Sequence, residues 1–155
     1  MKLKEARTNE ELKFLYDTRI LPEVDKYLTG NPPKTFKQHL EYISKVQLIS
    51  KYILIAYDEN DTKIGYSQLY DWEGPTIEVG FVVTPERQGC GYGKDLVKKT
   101  IEFCESEFPN KTIILYVKRE NKRAIHVYEK SGFIYEKFPL ENKEQIGMRY
   151  IRSLY

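Results

Sequence analysis

The chain has 155 residues, of which 41% are hydrophobic and 31% charged, and its formal net charge is +2. The length predicts a single domain over residues 1–155, and the composition is typical of a folded globular protein. A net charge this small does not indicate a nucleic-acid partner. We also expect no membrane association, because no apolar run approaches the ~20 residues of a membrane-spanning helix and the charged first residues are not those of a signal peptide.

The two cysteines, Cys90 and Cys104, are isolated from each other and have no metal or redox spacing. Paired or clustered cysteines would be needed for a disulfide framework or a thiolate metal site. We therefore expect a protein of the reducing cytoplasm, with no metal ion.

The first third of the chain predicts one short strand and two helices. Residues 2–6 have the pattern of the strand, and Thr8 with Glu11 three positions later is the capping-box pattern of a helix start. Pro22 interrupts the helical pattern. Thr35 then caps the second helix.

The middle of the chain predicts an antiparallel meander followed by a helix. Residues 52–57 and 63–70 are rich in β-branched and aromatic side chains, and the turn 58–61 joins them as a hairpin. Residues 76–83 are a third run of the same kind. After Gly93 the apolar residues recur with a helical period, and this predicts a long amphipathic helix.

The last third alternates between strands and a helix. Residues 112–117 predict a buried strand, residues 121–130 predict a helix that Gly132 ends, and residues 133–138 and 145–151 predict two closing strands. Strands and helices mixed in this order predict an α/β or α+β domain with one mixed sheet.

The strand at 76–83 leads into a glycine-rich turn that reads Gln88-Gly89-Cys90-Gly91-Tyr92-Gly93-Lys94. Alternate glycines let a backbone bend and approach a ligand, and the first helical amides point outward at the positive end of the helix dipole. The turn therefore suits a pyrophosphate, with Arg87 and Lys94 adding charge. The spacing fits neither the Gly-x-Gly-x-x-Gly dinucleotide fingerprint nor a loop ending in Gly-Lys-Ser/Thr. A turn that uses glycine only for its geometry is the alternative.

Two motifs together resemble those of the GCN5-related N-acetyltransferases (GNAT). Gln88 to Gly93 matches their Gln/Arg-x-x-Gly-x-Gly/Ala signature, and residues 121–133, about 30 positions later, resemble their second conserved block. The resemblance is close over residues 78–133. It implies the acyl-CoA N-acyltransferase fold, a single mixed, mostly antiparallel sheet of six to seven strands flanked by about four helices. It also implies acetyl-CoA as the cofactor.

The resemblance assigns the cofactor contacts. Backbone groups of Phe81, Val82 and Val83 would pair with the pantetheine amides like an added strand, and the amide of Val82 or Val83 would polarise the thioester carbonyl. Asn121 would bond to the pantetheine, although an asparagine there also suits a helix N-cap. Cys90 is expected to be inert. The implied phosphate cradle comprises Gln88, Gly89, Cys90, Gly91, Tyr92, Gly93 and Lys94.

Catalysis needs an acid for the departing thiolate and a base for the protonated amine. Tyr128 matches the family tyrosine near the thioester sulfur and is the predicted acid, with core packing as the alternative. Glu78 shares a strand face with Gly80 and is the predicted base, acting through water. His39 and His126 are alternatives for the base.

The acceptor side is expected to come from the first two helices, the loop between them, and the strand ends around residues 70–74. Residues 19–39 resemble an Arg…Pro-Glu-Val…Tyr-Leu/Met…His pattern of relatives that acetylate amino sugars on nucleotides, and more loosely resemble ribosomal-protein acetyltransferases. Ordinary helix packing is the alternative for these positions. The predicted substrate-binding residues are Tyr27, Leu28, Phe36, His39 and Trp72.

Three functions remain open at this point. The first is acetyl transfer from acetyl-CoA to a primary amine of a small molecule, such as an amino sugar or its nucleotide. The second is acetylation of a protein or peptide, and the third is a non-catalytic sensor that binds acyl-CoA. We expect a monomer or a homodimer.

Overall fold

Seven strands form one sheet in the computed structural model of the chain, which describes residues 1–49 and 52–151. Their order across the sheet is β1-β2-β3-β4-β5-β7-β6. All neighbours are antiparallel except β4 and β5, which are parallel. The predicted mixed, mostly antiparallel sheet is therefore confirmed. The strands are β1 (Lys2–Glu5), β2 (Tyr52–Tyr57), β3 (Lys63–Tyr70), β4 (Thr76–Val83), β5 (Thr112–Lys118), β6 (Phe133–Tyr135) and β7 (Gln145–Tyr150).

The described residues form five α-helices, one more than the sequence predicts. The additional helix is α2, which begins at Pro22, the residue expected only to interrupt the pattern; proline suits a first helical turn because its φ is preset there. None of these helices combines the length and apolarity needed to cross a membrane. The helices are α1 (Asn9–Arg19), α2 (Pro22–Asp25), α3 (Phe36–Ile49), α4 (Tyr92–Glu107) and α5 (Lys122–Lys130), and a 3-10 turn spans Pro85–Arg87.

Helix α1 is fixed to the sheet by the carboxylate of Glu11. The predicted capping box is present, because the Glu11 amide donates to Thr8 Oγ1 and Glu11 Oε1 accepts from the Thr8 amide. The other carboxylate oxygen accepts from the hydroxyl of Tyr57 on β2 at 2.9 Å. Burial alone would raise the pKa of Glu11, but these hydrogen bonds and one from the Arg7 amide lower it to about 2.

The sheet separates two hydrophobic cores. On one face α4 and α5 pack against Val79, Leu115 and Met148, and on the other α1 to α3 pack against Ile53, Val82 and their neighbours. The predicted buried face of α4 is confirmed, since each of its members is buried: Leu96, Val97, Thr100, Ile101, Cys104 and Phe108.

Strand β6 is shorter than the sequence predicts. The sequence predicts a strand to residue 138, but β6 ends at Tyr135. Phe138 instead turns over Gly147, where its ring occupies the space that a side chain at that position would need. The same ring meets Tyr116 edge-on at a centroid distance of 6.0 Å. The ring of Phe138 therefore covers Gly147 of β7 where the prediction had placed a continuing strand.

Candidate active site

Strands β4 and β5 separate part-way along their length. Their parallel pairing covers only Thr76 to Glu78 on β4, where the last pair is Glu78 with Ile114. Beyond that pair β4 stays bonded to β3, and β5 stays bonded to β7 as far as Lys118. Residues 79–83 therefore face a wedge on their β5 side, where backbone groups are available to an added, extended ligand.

The glycine-rich turn lies at the open end of this wedge. Gly89 and Gly91 adopt φ values of 80° and 85°, which favour glycine, and Gly91 is the N-cap of α4. An ideal Cβ at Gly89, Gly91 or Gly93 would have no heavy atom within 4 Å. The turn is thus bare on its outer side, and a diphosphate could lie directly against the amides of the first turn of α4.

Arg87 is anchored away from the outer side of this turn. Its Nη1 donates to Oδ2 of Asp58 at 3.1 Å, and its guanidinium lies 5.9 Å from the centre of the Tyr92 ring. Asp58 is buried in the β2–β3 turn, where its other oxygen accepts from the amides of Asn60 and Thr62. Arg87 therefore connects the hairpin to the cofactor turn, whereas Lys94, at the end of the cradle, is exposed.

Gln88 and Asn121 lie at the same end of the wedge, where local hydrogen bonds hold their side chains. Gln88 Nε2 donates to the carbonyl of Val83 at 3.2 Å, and its Oε1 accepts from Arg123 on α5 at 3.3 Å. Asn121 Oδ1 accepts from the amide of Ala124 at 3.3 Å, so this side chain is the N-cap of α5. The cap occupies only the oxygen of Asn121 and leaves the Nδ2 group for a ligand.

A cavity of about 850 Å³ adjoins the wedge on the α1–α3 face of the sheet. Its floor is formed by alternate residues of β3 and β5 and by residues 78–82 of β4, and its roof by α1, α3 and the loop of residues 27–34. Residues 140–145 close one side. The polar and aromatic floor residues are Tyr66, Gln68, Tyr70, Glu78, Tyr116 and Lys118.

A family model described as the acetyltransferase (GNAT) family matches residues 16–133, and this range includes the wedge, the turn and most of the cavity. The chain belongs to this family. It is therefore a GNAT acetyltransferase whose acyl donor is acetyl-CoA, and the bare turn and open strand edge fit that cofactor.

Several known proteins are similar to this GNAT acetyltransferase. Spermidine N(1)-acetyltransferase of Vibrio cholerae is 23% identical over 129 residues, covering 81% of this chain and 75% of its own. Acetyltransferase PseH of Campylobacter jejuni is 24% identical over 127 residues, covering 81% and 78%. The crystal structure of the Vibrio cholerae spermidine enzyme with CoA and spermine matches with a TM-score of 0.81 at 21% identity, covering 97% of this chain and 94% of that one.

Glu78, the predicted base, lies on the cavity floor. It is half-buried, and burial raises the pKa of its carboxyl, although Trp72 Nε1 donates to its Oε1 at 3.3 Å and partly opposes the shift. Its cross-strand neighbour Tyr70 stacks on Trp72 with centroids 5.8 Å apart. Burial, chiefly, raises the pKa of the Tyr70 hydroxyl, which therefore stays protonated at neutral pH.

Tyr128, the predicted acid, lies on the other side of β4. It is buried in the α4–α5 core, with its ring centre 5.6 Å from that of Phe81 and 6.0 Å from that of Phe133. Burial raises the pKa of its hydroxyl, which therefore stays protonated at neutral pH. Phe81 touches both Tyr128 and the cavity, so the acid and base candidates flank β4 from opposite faces.

Three of the predicted substrate residues line the cavity, namely Tyr27, Leu28 and His39. The other two do not. Phe36 packs against Tyr16 with ring centres 5.8 Å apart, and Trp72 is exposed outside the cavity, where it contacts the cavity residues Glu78 and Tyr70.

His39 is 6% exposed and its Nδ1 has no hydrogen-bond partner among the described residues. Burial and the nearby Arg19 lower its pKa to about 4. The imidazole is therefore neutral at pH 7. His126, the other alternative base, is exposed on α5.

The two cysteines occupy contrasting positions. Cys90 is exposed in the cofactor turn, whereas Cys104 is buried, and burial chiefly raises the pKa of its thiol to about 12. Among the described residues, no cluster of three or more His, Cys, Asp or Glu could hold a metal ion.

Sequence reasoning missed most of the cavity floor. Tyr66, Gln68 and Tyr70 repeat with period two on β3, and Tyr116 with Lys118 does so on β5. This alternation of polar and aromatic residues on buried strands is visible in the sequence. The face of the sheet on which these residues lie depends on how β3 and β5 pair with β4, which carries Glu78. That pairing is a property of the assembled sheet.

Proposed function

We propose that this acetyltransferase moves the acetyl group of acetyl-CoA directly to a primary amine of a small molecule. The observation that carries the proposal is the junction of two spaces: a wedge that ends at the bare glycine turn, and an adjoining cavity with Glu78 on its floor. Donor and acceptor would meet at β4 without a covalent enzyme intermediate.

The proposed mechanism uses groups on and beside β4. The amine is protonated near pH 7, so Glu78 accepts a proton through water before the nitrogen attacks. The amide of Val82 or Val83 donates to the thioester carbonyl and stabilises the charge that develops on its oxygen. Tyr128 then donates its proton to the departing thiolate of coenzyme A.

The shape of the cavity favours a small acceptor over a peptide. The loop of residues 27–34 lies over it from one side and residues 140–145 from another. An extended peptide would need a groove open at both ends. A non-catalytic sensor is also disfavoured, because a base candidate with a raised pKa is kept next to the wedge.

The charges and hydroxyls of the cavity favour an amino sugar or its nucleotide. The described lining contains two carboxylates, Glu78 and Glu144, and three cations, Arg19, Lys34 and Lys118. A polyamine carries several positive charges and would need a surplus of carboxylates, which this lining lacks. Tyrosine hydroxyls, amides and a neutral imidazole instead offer the paired donors and acceptors that sugar hydroxyls require.

The proposal is tested by an acceptor screen with released thiol as the readout. Amino sugars, their nucleotides, spermidine and lysine-containing peptides are compared at fixed acetyl-CoA. We expect the highest kcat/KM with an amino sugar or its nucleotide. A peptide in first place would support the second function, spermidine in first place would refute the charge argument, and tight CoA binding without turnover on any amine would support the sensor.

A further inference from the structure

Gly80 lies at the point where the wedge and the cavity meet. It is on the cavity face of β4 between Glu78 and Val82, and it pairs with Gln68 across β3. It is also the first residue on that face beyond the last β4–β5 pair. An acceptor nitrogen that attacks a thioester in the wedge must pass beside this residue.

The backbone at Gly80 does not require a glycine, because its φ lies outside the left-handed region. Glycine in a strand interior weakens the strand, so its presence indicates another demand. At Gly65 and Gly147 the demand is close packing, since a Cβ would collide with the Val82 carbonyl or with the Phe138 ring. At Gly80 a Cβ would meet no heavy atom within 4 Å.

We propose that Gly80 determines acceptor specificity by leaving room for a branched carbon next to the reacting nitrogen. The preferred acceptors are then primary amines on a secondary carbon, as in a ring, rather than amines at the end of a linear chain. A linear amine needs only a narrow approach, whereas a ring carbon carries two carbon substituents, one of which would lie over Gly80. This inference rests on the proposed function and narrows its substrate class.

The test compares cyclohexylamine with n-hexylamine, two primary amines of equal carbon number that differ in branching. Wild type, Gly80→Ala, Gly80→Val and Gly74→Ala are assayed by thiol release. Gly74 is the matched control, because it too has open space around a Cβ and no left-handed φ, but lies outside the cavity. Coenzyme A affinity and Tm are measured for each variant.

We expect wild type to prefer cyclohexylamine. Gly80→Ala should lower kcat/KM for cyclohexylamine by about 10–200-fold, the usual effect of one misplaced methylene, and should affect hexylamine far less. Gly80→Val should lower kcat/KM for cyclohexylamine further than Gly80→Ala does. Coenzyme A affinity should change far less than kcat/KM for cyclohexylamine, because β4 would hold the cofactor through backbone groups. Tm should stay level or rise, because alanine restricts the unfolded chain at no steric cost.

Two results would overturn the inference while the proposed function stood: a wild-type preference for hexylamine, or equal losses for both amines in Gly80→Ala. A fall in Tm for Gly80→Ala but not Gly74→Ala would make Gly80 a structural residue instead. If wild type binds coenzyme A but acetylates no amine in this pair or in the acceptor screen, the proposed function itself fails, and this inference fails with it.

Discussion

Glu78 combines partial burial with one hydrogen bond, from the indole of Trp72. Burial raises the pKa of its carboxyl, and the indole opposes this, so the group titrates above the usual range of glutamate. A raised pKa makes a carboxylate a better proton acceptor once it is ionised. The same burial means that ionisation of Glu78 lowers the stability of the folded state.

Glu78→Gln should lower kcat by about 10²–10⁴-fold, the usual contribution of a general base. In wild type the rate should rise with pH through the raised pKa of Glu78, and the variant should lose this limb. The folded state holds the Glu78 proton more tightly than the unfolded chain, so stability falls as pH rises through this pKa, and glutamine removes that loss. Tm at pH 7 should therefore not decrease.

The matched control is Glu144→Gln, because Glu144 also lines the cavity but is exposed. It should keep both the rate and the pH profile of wild type. An unchanged pH profile in Glu78→Gln would remove Glu78 as the base.

Tyr128→Phe should lower kcat by about 10²-fold or more while leaving coenzyme A affinity within a few-fold, because only the proton donor is lost. Tyr52→Phe is the control, since Tyr52 belongs to the same core and packs 4.9 Å from Phe103. Equal kcat values for the two variants would show that Tyr128 is a core residue and not the acid.

At the scale of elements, the β2–β3 hairpin supports the cofactor turn. Asp58 binds the amides of its own turn and also the guanidinium of Arg87, which ends the 3-10 turn between β4 and α4. Hydrogen bonds from the Thr62 and Asn60 amides, together with Arg87, keep the pKa of Asp58 below its usual range. The hairpin is therefore connected to the phosphate site through one buried carboxylate.

Asp58→Asn should weaken coenzyme A binding several-fold without changing acceptor KM, because the cradle loses its support while the cavity is untouched. Asp61→Asn changes an exposed residue of the same turn and should not weaken coenzyme A binding. A lowered aspartate pKa adds stability above the unfolded pKa that is lost as pH falls through the folded one. The Tm difference between wild type and Asp58→Asn should therefore shrink in acid, and a constant difference would contradict the pairing.

At the scale of the whole molecule, the wedge leaves one sheet divided into two halves that pair over only three residues of β4. An extended cofactor between β4 and β5 would restore the missing contacts. Coenzyme A should therefore stabilise the fold, by about 2.7 kcal/mol at 100 times its Kd.

Hydrogen exchange should locate this stabilisation. Coenzyme A should slow exchange most at residues 79–83 and in the glycine turn, while amides that exchange only by global unfolding should slow by no more than the gain in overall stability. No slowing at residues 79–83, or a larger slowing in β1 and β2 than there, would place the cofactor elsewhere.

Much of the donor side could be predicted from the sequence because its determinants are local. The glycine spacing sets the turn before α4, and the helical period sets the buried face of α4. Each depends on residues within a few positions of one another, so the pattern alone predicts the element.

The acceptor side was decided by tertiary structure. The register of the sheet places Gly80 opposite Gln68, and the end of the β4–β5 pairing opens the wedge beside it. The roof loop, residues 27–34, comes from far earlier in the chain. Phe36 and Trp72 have the right residue types but pack outside the cavity, against Tyr16 and Tyr70. Local spacing determines which donor the backbone can hold, whereas the acceptor depends on a space enclosed by distant segments, and only the packed fold specifies its shape.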